Sequence, residues 1–287
     1  MKITEYISPL RENIEKAREL GKTIILIPTM GYLHSGHLSM IGVARADDED
    51  HEKYYIVMSI FVNPIQFGPN EDYEKYPRNM INDIKLAEEA GVDIVFAPEV
   101  EEMYPDGQNL TTVKVSGITE DLCGASRPVH FEGVTTVVAK LFNIVRPDVA
   151  YFGQKDYQQF MVIKQMARDL NIPVKLIAVP TIREKDGLAL SSRNLYLSET
   201  ERKQAPELYQ ALQEGKKIIL GGEKNVEKIK EIITHRIQKK TNAKIEYLEI
   251  RRAENLAPLG TINNTVVIAV AARFGKTRLI DNILVEV

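Results

Sequence analysis

Apolar runs alternate with stretches of helical spacing through the first two-thirds of the chain. The runs lie at residues 23–27, 54–60, 93–97, 149–152 and 174–179. Short continuous apolar runs, several of them rich in β-branched residues, are typical of strands buried on both faces of a parallel sheet. Apolar residues at helical spacing occur at 8–20, 38–46, 79–90, 134–145 and 156–170. This alternation predicts an α/β fold with a Rossmann-like parallel sheet.

The pattern changes in two places. From residue 111 we predict a strand and then a loop rich in glycine and proline, residues 123–133. Beyond about residue 188, helical stretches rich in lysine and glutamate precede strand-like runs. These elements lie at 199–220, 226–240, 245–250, 265–270 and 278–282. Helices followed by antiparallel strands favour a smaller α+β domain, so we predict two domains, 1–187 and 188–287.

Composition narrows the class of protein. The chain has 287 residues, 44% of them hydrophobic and 27% charged, which is ordinary for a globular protein. A net charge of −3 gives no electrostatic reason to expect nucleic acid or an anionic membrane as a partner. The N-terminal residues lack an apolar signal core, and no segment approaches the ~18 apolar residues of a membrane span, so we expect a cytoplasmic protein.

The turn after the first apolar run carries the first candidate chemistry. It reads PTMGYLHSGH over residues 28–37. A helix that opens directly after a parallel strand presents main-chain N–H groups and a partial positive charge, which favour anions. Gly31 and Gly36 allow a ligand to approach the backbone, and His34 and His37 are spaced to face the same side of the helix. Two neutral imidazole donors suit phosphate oxygens, so the turn is predicted to handle a polyphosphate.

Two other interpretations of the histidine pair remain open at this point. The histidines could be metal ligands, or simply polar residues at the start of a helix. The other residues that could complete a zinc site are His51, His130, His235 and Cys123, and their spacing does not identify a third and a fourth ligand.

Polar residues also follow other predicted strands. Gln66 lies between two apolar neighbours after the second strand, where its amide can donate and accept hydrogen bonds to a small hydroxy acid. After the fourth strand, Lys155 can neutralise phosphate charge, and Asp156 can accept hydrogen bonds from main-chain N–H groups or a ribose hydroxyl. The ends of these strands are therefore predicted to meet at one ligand site.

The fifth strand leads into a loop with two hydroxyls and a guanidinium. The loop reads DGLALSSRN over residues 186–194, and Ser191, Ser192 and Arg193 form a set of donors suited to phosphate. We expect this loop to be flexible and to bind phosphate.

Five strings together resemble one known family. They are PTMGYLHSGH, FVNPIQF, RPVHFEGV, GQKD and DGLALSSRN, in that order along the chain. The first resembles the H-x-G-H signature of the nucleotidylyltransferase superfamily, in the form typical of the pantothenate synthetase family. Tyr32 departs from the small residue common in that family at its position.

The resemblance implies a two-step ligase reaction. The pantoate carboxylate attacks the α-phosphorus of ATP and pyrophosphate leaves. The amine of β-alanine then attacks the pantoyl adenylate, which gives pantothenate and AMP. The resemblance implies a catalytic role for His34, His37, Lys155, Ser191, Ser192 and Arg193. It implies that ATP contacts come from Met30, Gly31, His34, Gly36, His37, Gly153, Gln154, Lys155, Asp156, Ile182, Leu190, Ser191, Ser192 and Arg193.

The family resemblance also implies the remaining ligands. Pantoate and β-alanine are expected to contact Gln66, Gln159 and Met30. Asp83 matches a position that carries acidic residues linked to Mg²⁺ in the family, although Asn82 beside it is an amide here. The resemblance further implies a homodimer, and we expect residues 188–287 to act as a lid over the water-sensitive adenylate.

Two rival functions come from different classes. Another nucleotidyltransferase would form a dinucleotide or a CDP-linked product; the pair Gln66 and Gln159 argues against it. A non-catalytic nucleotide-binding module would not need the histidine pair together with Lys155. Such a module would bind nucleotide without releasing pyrophosphate.

Overall fold

The computed structural model describes residues 1–46, 48, 50–69, 71–107 and 110–287. These residues divide into two compact units. The first unit comprises Met1–Glu120, Gly124–Gln154 and Val162–Pro180, and the second comprises Asp121–Cys123, Lys155–Met161 and Thr181–Val287. Residues 181–187 thus group with the C-terminal strands, and the predicted domain boundary after residue 187 stays a prediction. No helix within the described ranges is both long and apolar enough to cross a membrane.

The apolar runs at 23–27, 54–60, 93–97, 149–152 and 174–179 form strands that alternate with helices, as predicted. The strands are β1 Lys2–Thr4, β2 Thr23–Thr29, β3 Tyr54–Ile60, β4 Ile94–Phe96, β5 Val149–Gly153, β6 Lys175–Val179, β7 Lys244–Arg252, β8 Val266–Phe274 and β9 Thr277–Val285. The helices are α1 Ile7–Glu19, α2 Ser35–Arg45, α3 Met80–Glu89, α4 Val100–Met103, α5 Cys123–Ser126, α6 His130–Val145, α7 Tyr157–Asp169, α8 Glu199–Gln204, α9 Glu207–Leu220 and α10 Val226–Lys240. Short 3-10 turns occur at Pro64–Gln66, Gln154–Asp156 and Ser192–Tyr196.

The first unit contains a six-stranded parallel sheet in the order β1-β4-β3-β2-β5-β6. Its central strands are buried because helices cover both faces of such a sheet, and Ile24 to Ile27 of β2 are at most 1% exposed. The chain proceeds from β2 toward β4 on one side and from β5 to β6 on the other. Ligands bind at such a reversal, outside the carboxyl ends of the strands. The turn after β2 and the end of β5 at Gly153 lie at this point.

The predicted α/β class is confirmed, and the differences in the first unit have local causes. The edge strand β1 was not predicted because three residues are too short to show an alternating pattern. The predicted strand from residue 111 is wrong. The main-chain N–H of Val113 donates to Thr136 Oγ1 at 3.0 Å, and its carbonyl accepts from Thr135 Oγ1, so hydroxyls of α6 take the place of a neighbouring strand.

The second unit is built on the antiparallel sheet β7-β8-β9. Helices α9 and α10 pack on each other and on this sheet through a core that includes Leu212, Ile233 and Ile268. The single helix predicted over 199–220 is two helices, because Pro206 lacks the N–H that a continuous helix needs.

Candidate active site

The turn after β2 has a backbone that few residues adopt. Gly31 and Tyr32 both have positive φ angles, 78° and 52°. A Cβ at Gly31 would lie 2.9 Å from Asp83 Oδ2 and 2.9 Å from Ile60 Cγ2, so only glycine fits there. The left-handed conformation at Tyr32 is unfavourable for a bulky residue and has to be held by its surroundings.

Asp83 of α3 supplies that hold. Its Oδ2 accepts the main-chain N–H of Tyr32 at 2.8 Å, and its Oδ1 accepts that of Leu33 at 2.7 Å. The residue is 1% exposed, so both hydrogen bonds are shielded from water. Asp83 therefore acts as a clamp on the turn.

The same contacts bear on the expected Mg²⁺ site. Both carboxylate oxygens of Asp83 face main-chain donors, and the neighbouring Asn82 carries no charge. Within the described ranges, no group of three or more His, Cys, Asp or Glu side chains is arranged to hold a metal ion. The residues around Asp83 do not fit a protein-held Mg²⁺, and no contact supports the predicted ligand role of Asp83.

The histidine pair forms the start of α2. His34 is the N-cap residue, and its Nδ1 accepts the main-chain N–H of Gly36 at 3.1 Å. The main-chain N–H of His34 in turn donates to Nδ1 of His37 at 3.3 Å. The ring centroids lie 4.1 Å apart. Because each Nδ1 accepts a hydrogen bond from the backbone, each neutral ring carries its own proton on Nε2.

These hydrogen bonds refine the expected anion site. The N–H of Gly36 is already bonded to the ring of His34, so a hydrogen bond from this N–H to a ligand would compete with the cap. The Nε2–H groups of His34 and His37 become the directed donors of the turn. Both side chains are half-buried, which strengthens a hydrogen bond to an anion relative to one in bulk water.

Gln66 lies in a buried side-chain network that sequence reasoning only partly found. Asn63 Nδ2 donates to Gln66 Oε1 at 3.2 Å, and Tyr104 OH donates to Asn63 Oδ1 at 2.8 Å. Gln66 Nε2 lies 2.9 Å from Met30 Sδ. Asn63 therefore orients the amide oxygen of Gln66, and the amide nitrogen contacts Met30 in the turn after β2. Asn63 was visible inside the string FVNPIQF, whereas Tyr104 has no local signal.

The strings FVNPIQF and RPVHFEGV pack against each other. A Cβ at Gly133 would lie 2.5 Å from Gln66 Cα, and the carbonyl of Gly133 accepts from Asn63 Nδ2 at 3.1 Å. His130 Nδ1 lies 3.0 Å from the carbonyl oxygen of Gln66. His130, one of the residues considered for a zinc site, thus contacts a main-chain carbonyl.

An ion pair joins the start of RPVHFEGV to Glu71, four residues after the end of FVNPIQF. Arg127 Nε and Nη2 each donate to the Glu71 carboxylate at 2.6 Å. Burial raises the pKa of Glu71, but the hydrogen bonds and charge of Arg127 and the N–H of Gly68 outweigh it, so that the pKa lies below its usual value of 4.5.

The second unit contains the predicted residues that follow β5. Lys155 and Asp156 lie in the 3-10 turn before α7, and Lys155 Nζ is 3.8 Å from Asp156 Oδ1. The carbonyl oxygen of Lys155 accepts a hydrogen bond from Asn282 Nδ2 at 2.8 Å. Gln159 is half-buried within α7.

The predicted phosphate loop has a defined conformation. The main-chain N–H of Leu190 donates to the carbonyl of Ile182 at 3.0 Å, which pairs the two arms of a small hairpin. Ser191 follows the hairpin, and its Oγ accepts the N–H of Arg193 at 3.3 Å. Ser192 is 8% exposed and begins a 3-10 turn.

The structure thus assembles the predicted residues in two sets, one in each unit. The first unit holds Met30, Gly31, His34, Gly36, His37, Gln66, Gly153 and Gln154. The second unit holds Lys155, Asp156, Gln159, Ile182, Leu190, Ser191, Ser192 and Arg193. The sequence profile of the family described as pantoate-beta-alanine ligase matches residues 2–284.

The chain belongs to the pantoate–β-alanine ligase family. It is 55% identical over 287 residues to the pantothenate synthetase of Acetivibrio thermocellus, with all of both chains covered. It is 53% identical over 286 residues to that of Desulfitobacterium hafniense, which covers 100% of this chain and 99% of the relative. The predicted family and the prediction of a ligase are confirmed.

Solved structures of this ligase family have the same fold. Pantothenate synthetase from Thermus thermophilus matches with a TM-score of 0.91 and 45% identity over 99% of each chain. The pantoate-beta-alanine ligase of Francisella tularensis, complexed with beta-gamma ATP and β-alanine, matches with a TM-score of 0.76 and 37% identity over 99% of this chain and 97% of that one.

Proposed function

We propose that this ligase condenses pantoate with β-alanine, that it cleaves ATP to AMP and pyrophosphate, and that the reaction passes through a pantoyl adenylate. The observation that carries this proposal is the histidine pair at the start of α2. Both rings accept main-chain N–H groups at Nδ1, so both present an Nε2–H donor at the point where ligands bind in this class of sheet.

In the first step, a carboxylate oxygen of pantoate attacks the α-phosphorus of ATP. The bond from that phosphorus to the bridging oxygen breaks, and pyrophosphate leaves with the electron pair. Negative charge grows on the phosphoryl and leaving oxygens, and fixed N–H donors stabilise it without reorganisation. We assign this role to His34 and His37. Because pyrophosphate leaves without an obligatory proton on the bridging oxygen, we treat His37 as an electrostatic and positioning group as well as a proton donor.

The second unit supplies the other charge-handling groups of the proposal. Lys155, Ser191, Ser192 and Arg193 are proposed to bind the phosphates, since they combine two cations with two hydroxyls. Asp156 is proposed to accept from a ribose hydroxyl. Ile182 and Leu190 are proposed to contact the adenine, with Ile182 contributing its main chain. Gly31, Gly36, Gly153 and Gln154 complete the proposed ATP contacts.

Pantoate recognition is assigned to Gln66, to Gln159 and to Met30, whose Sδ lies 2.9 Å from Gln66 Nε2. The support is the fixed orientation of the Gln66 amide, whose Oε1 accepts from Asn63 and whose Nε2 is directed toward Met30. In the second step, the β-alanine amine attacks the carbonyl carbon of the adenylate. AMP leaves and the nitrogen loses a proton. The family relative from Francisella tularensis, complexed with β-alanine and beta-gamma ATP, supports both ligands.

The remaining parts of the proposal concern Mg²⁺, the location in the cell, the oligomeric state and a lid. Mg²⁺ bound to the ATP phosphates would neutralise part of their charge, and no residue of this chain is assigned as its ligand. The protein is proposed to act in the cytoplasm as a homodimer. Residues 188–287 are proposed to form a lid that shields the adenylate from water.

The deciding experiment measures pyrophosphate release from MgATP with pantoate alone, and then with β-alanine added. We expect the release of pyrophosphate to depend on pantoate. The enzyme should complete many turnovers only when β-alanine is also present. His37→Ala should lower the rate by about 100-fold or more. His235→Ala, at an exposed histidine of α10, is the matched control and should retain the wild-type rate.

The other outcomes identify the rivals. ATP binding without pyrophosphate release would favour a non-catalytic module. Pyrophosphate release that depends on a different acceptor, and not on pantoate, would favour another nucleotidyltransferase. A His37→Ala variant as fast as His235→Ala would remove the histidine pair from the mechanism.

A further inference from the structure

Two adjacent buried polar residues in the middle of strand β9 are not used by the proposed function. Asp281 is 5% exposed and Asn282 is 4% exposed. A carboxylate and an amide at this depth are costly unless they are hydrogen-bonded. Their partners therefore indicate why they are there.

Asn282 is bonded to the segment that follows β5. Its Nδ2 donates to the main-chain carbonyl of Lys155 at 2.8 Å. Lys155 lies in a 3-10 turn of three residues, Gln154–Asp156, so a bond to this one carbonyl fixes the peptide plane next to the Lys155 side chain. The direction in which the ammonium group extends depends on that plane.

Asp281 is bonded to the hairpin that leads to Ser191. Its two carboxylate oxygens accept from Arg183 Nη1 and Nη2 at 2.7 and 2.8 Å, a bidentate pair. Nη1 of Arg183 also donates to the carbonyl of Gly187 at 3.1 Å, and its guanidinium carbon lies 3.7 Å from the centroid of the Tyr209 ring. The guanidinium thus joins the base of the hairpin, its far turn, helix α9 and strand β9.

The two anchors are themselves connected. The N–H of Asn282 donates to Asp281 Oδ1 at 2.7 Å, and Nη2 of Arg183 lies 3.3 Å from the carbonyl of Asn282. Adjacent residues on one rigid strand therefore hold both the Lys155 turn and the hairpin that ends at Ser191. A shift of β9 would move both segments together.

We propose that Asp281 and Asn282 are positioning residues for ATP, which align Lys155 with the donors at Ser191 to Arg193. This inference rests on the proposed function, because it takes those groups to be the phosphate ligands. It assigns the C-terminal strand a part in nucleotide binding through the two segments that Asp281 and Asn282 hold.

A purely structural role makes a different prediction, and a matched control separates the two. Glu246 of β7 accepts hydrogen bonds from Arg273 and Arg278 in the same sheet, and none of these residues is bonded to the Lys155 turn or the hairpin in the contacts described above. Glu246→Gln therefore breaks an ion pair of the sheet without touching the proposed ATP segments. The variants to compare with it are Asp281→Asn and Asn282→Leu.

Binding of a non-hydrolysable ATP analogue is measured by titration calorimetry, and the KM values for ATP and pantoate are measured with the complete reaction. We expect Asp281→Asn and Asn282→Leu to weaken analogue binding and raise the KM for ATP by about 10-fold, the effect of losing one well-placed hydrogen bond to a charged or fixed group. The KM for pantoate should change by less than about 2-fold. Glu246→Gln should change none of these by more than about 2-fold at a comparable loss of Tm.

Two outcomes would overturn the positioning role. These are analogue binding equal to that of Glu246→Gln at a matched Tm, or KM values for ATP and pantoate that rise together. If a variant does not fold, Arg183→Lys replaces it, because lysine keeps the charge and loses the bidentate geometry. A wild-type protein that binds the analogue but releases no pyrophosphate overturns the proposed reaction alone, and the binding comparison still decides the positioning role. A wild-type protein that does not bind the analogue overturns both.

Discussion

The N–H of His34 donates to Nδ1 of His37 at 3.3 Å, so that a histidine occupies the position where a helix usually carries Glu or Gln in a capping box. The cap is reciprocal, because Nδ1 of His34 accepts from Gly36. One arrangement therefore serves two purposes. It satisfies donors at the start of α2, and it fixes the tautomer in which Nε2 of both rings is protonated.

The two purposes can be separated at His37. Glutamine at this position can still reach back to the N–H of His34, so we expect His37→Gln to keep a Tm close to that of the wild type. It lacks the ring donor, so pyrophosphate release should fall by about 100-fold. His37→Ala should lose the cap as well, with about 1 kcal/mol of stability. Thermal unfolding and the pyrophosphate assay measure the two effects. Equal activity of His37→Gln and wild type would mean that the ring serves only as a cap.

Asp83 gives a second test, which distinguishes a backbone clamp from a metal ligand. In Asp83→Asn, one of the two main-chain donors, Tyr32 or Leu33, faces an amide nitrogen that cannot accept. We expect a loss of about 1–3 kcal/mol of stability and a lower kcat, because the turn that bears the histidines is less well fixed. If Asp83 only holds the backbone of the turn, the loss of activity in Asp83→Asn should be the same at every Mg²⁺ concentration. Recovery of activity at high Mg²⁺ would instead support the metal-ligand role. Asn82→Ala, on the same helix, is the control.

The fixed Gln66 amide leads to a prediction at Tyr104. Burial raises the pKa of Tyr104, so its hydroxyl remains a donor to Asn63 through the neutral range. Tyr104→Phe removes that donor and loosens the Asn63 amide, which orients Gln66. We expect the KM for pantoate to rise by about 3- to 10-fold and the KM for ATP to stay constant. Tyr55→Phe, at a half-buried tyrosine of β3, should leave both constants unchanged. A parallel rise in both constants for Tyr104→Phe would exclude a role specific to pantoate.

The positions of strands β2 to β6 could be predicted from the sequence because periodicity and burial are local properties. The apolar run at 23–27 and the glycines after it place a strand and a turn with no knowledge of the rest of the chain. The histidine pair could be predicted for the same reason, since helical spacing brings residues three apart to one side.

Contacts between distant residues could not be predicted in this way. Nothing near Asp83 indicates that it accepts from residues 32 and 33, and the spacing suggests only a solvated helix carboxylate. The interactions of Tyr104 with Asn63 and of Asn282 with Lys155 are likewise set by tertiary packing. The same holds for Val113, whose backbone is satisfied by threonine hydroxyls of α6 and not by a strand.

The ion pair between Glu71 and Arg127 should make stability depend on pH. The pKa of Glu71 is lower in the folded protein than its usual value of 4.5, so the unfolded chain binds more protons at acid pH. The ion pair therefore makes its full contribution to stability above about pH 4.5. That contribution is lost as the pH falls through the pKa of Glu71 in the folded protein. Glu71→Gln removes this contribution. We expect its Tm to lie about 2–4 °C below that of the wild type at pH 7 and the difference to shrink below pH 4.5.

The control for this prediction is an exposed carboxylate. Glu19 is exposed at the end of α1, so Glu19→Gln should show the same small Tm difference at pH 7 and at pH 3.5. Arg127 stays charged throughout, so Glu71→Gln leaves a cation that is 15% exposed without its carboxylate at every pH, whereas the wild type loses that carboxylate only as Glu71 is protonated. A Tm difference for Glu71→Gln that is identical at both pH values would mean that the carboxylate titrates alike in the folded and unfolded chains. The ion pair between Glu71 and Arg127 would then make no charge-dependent contribution to the stability of the wild-type protein.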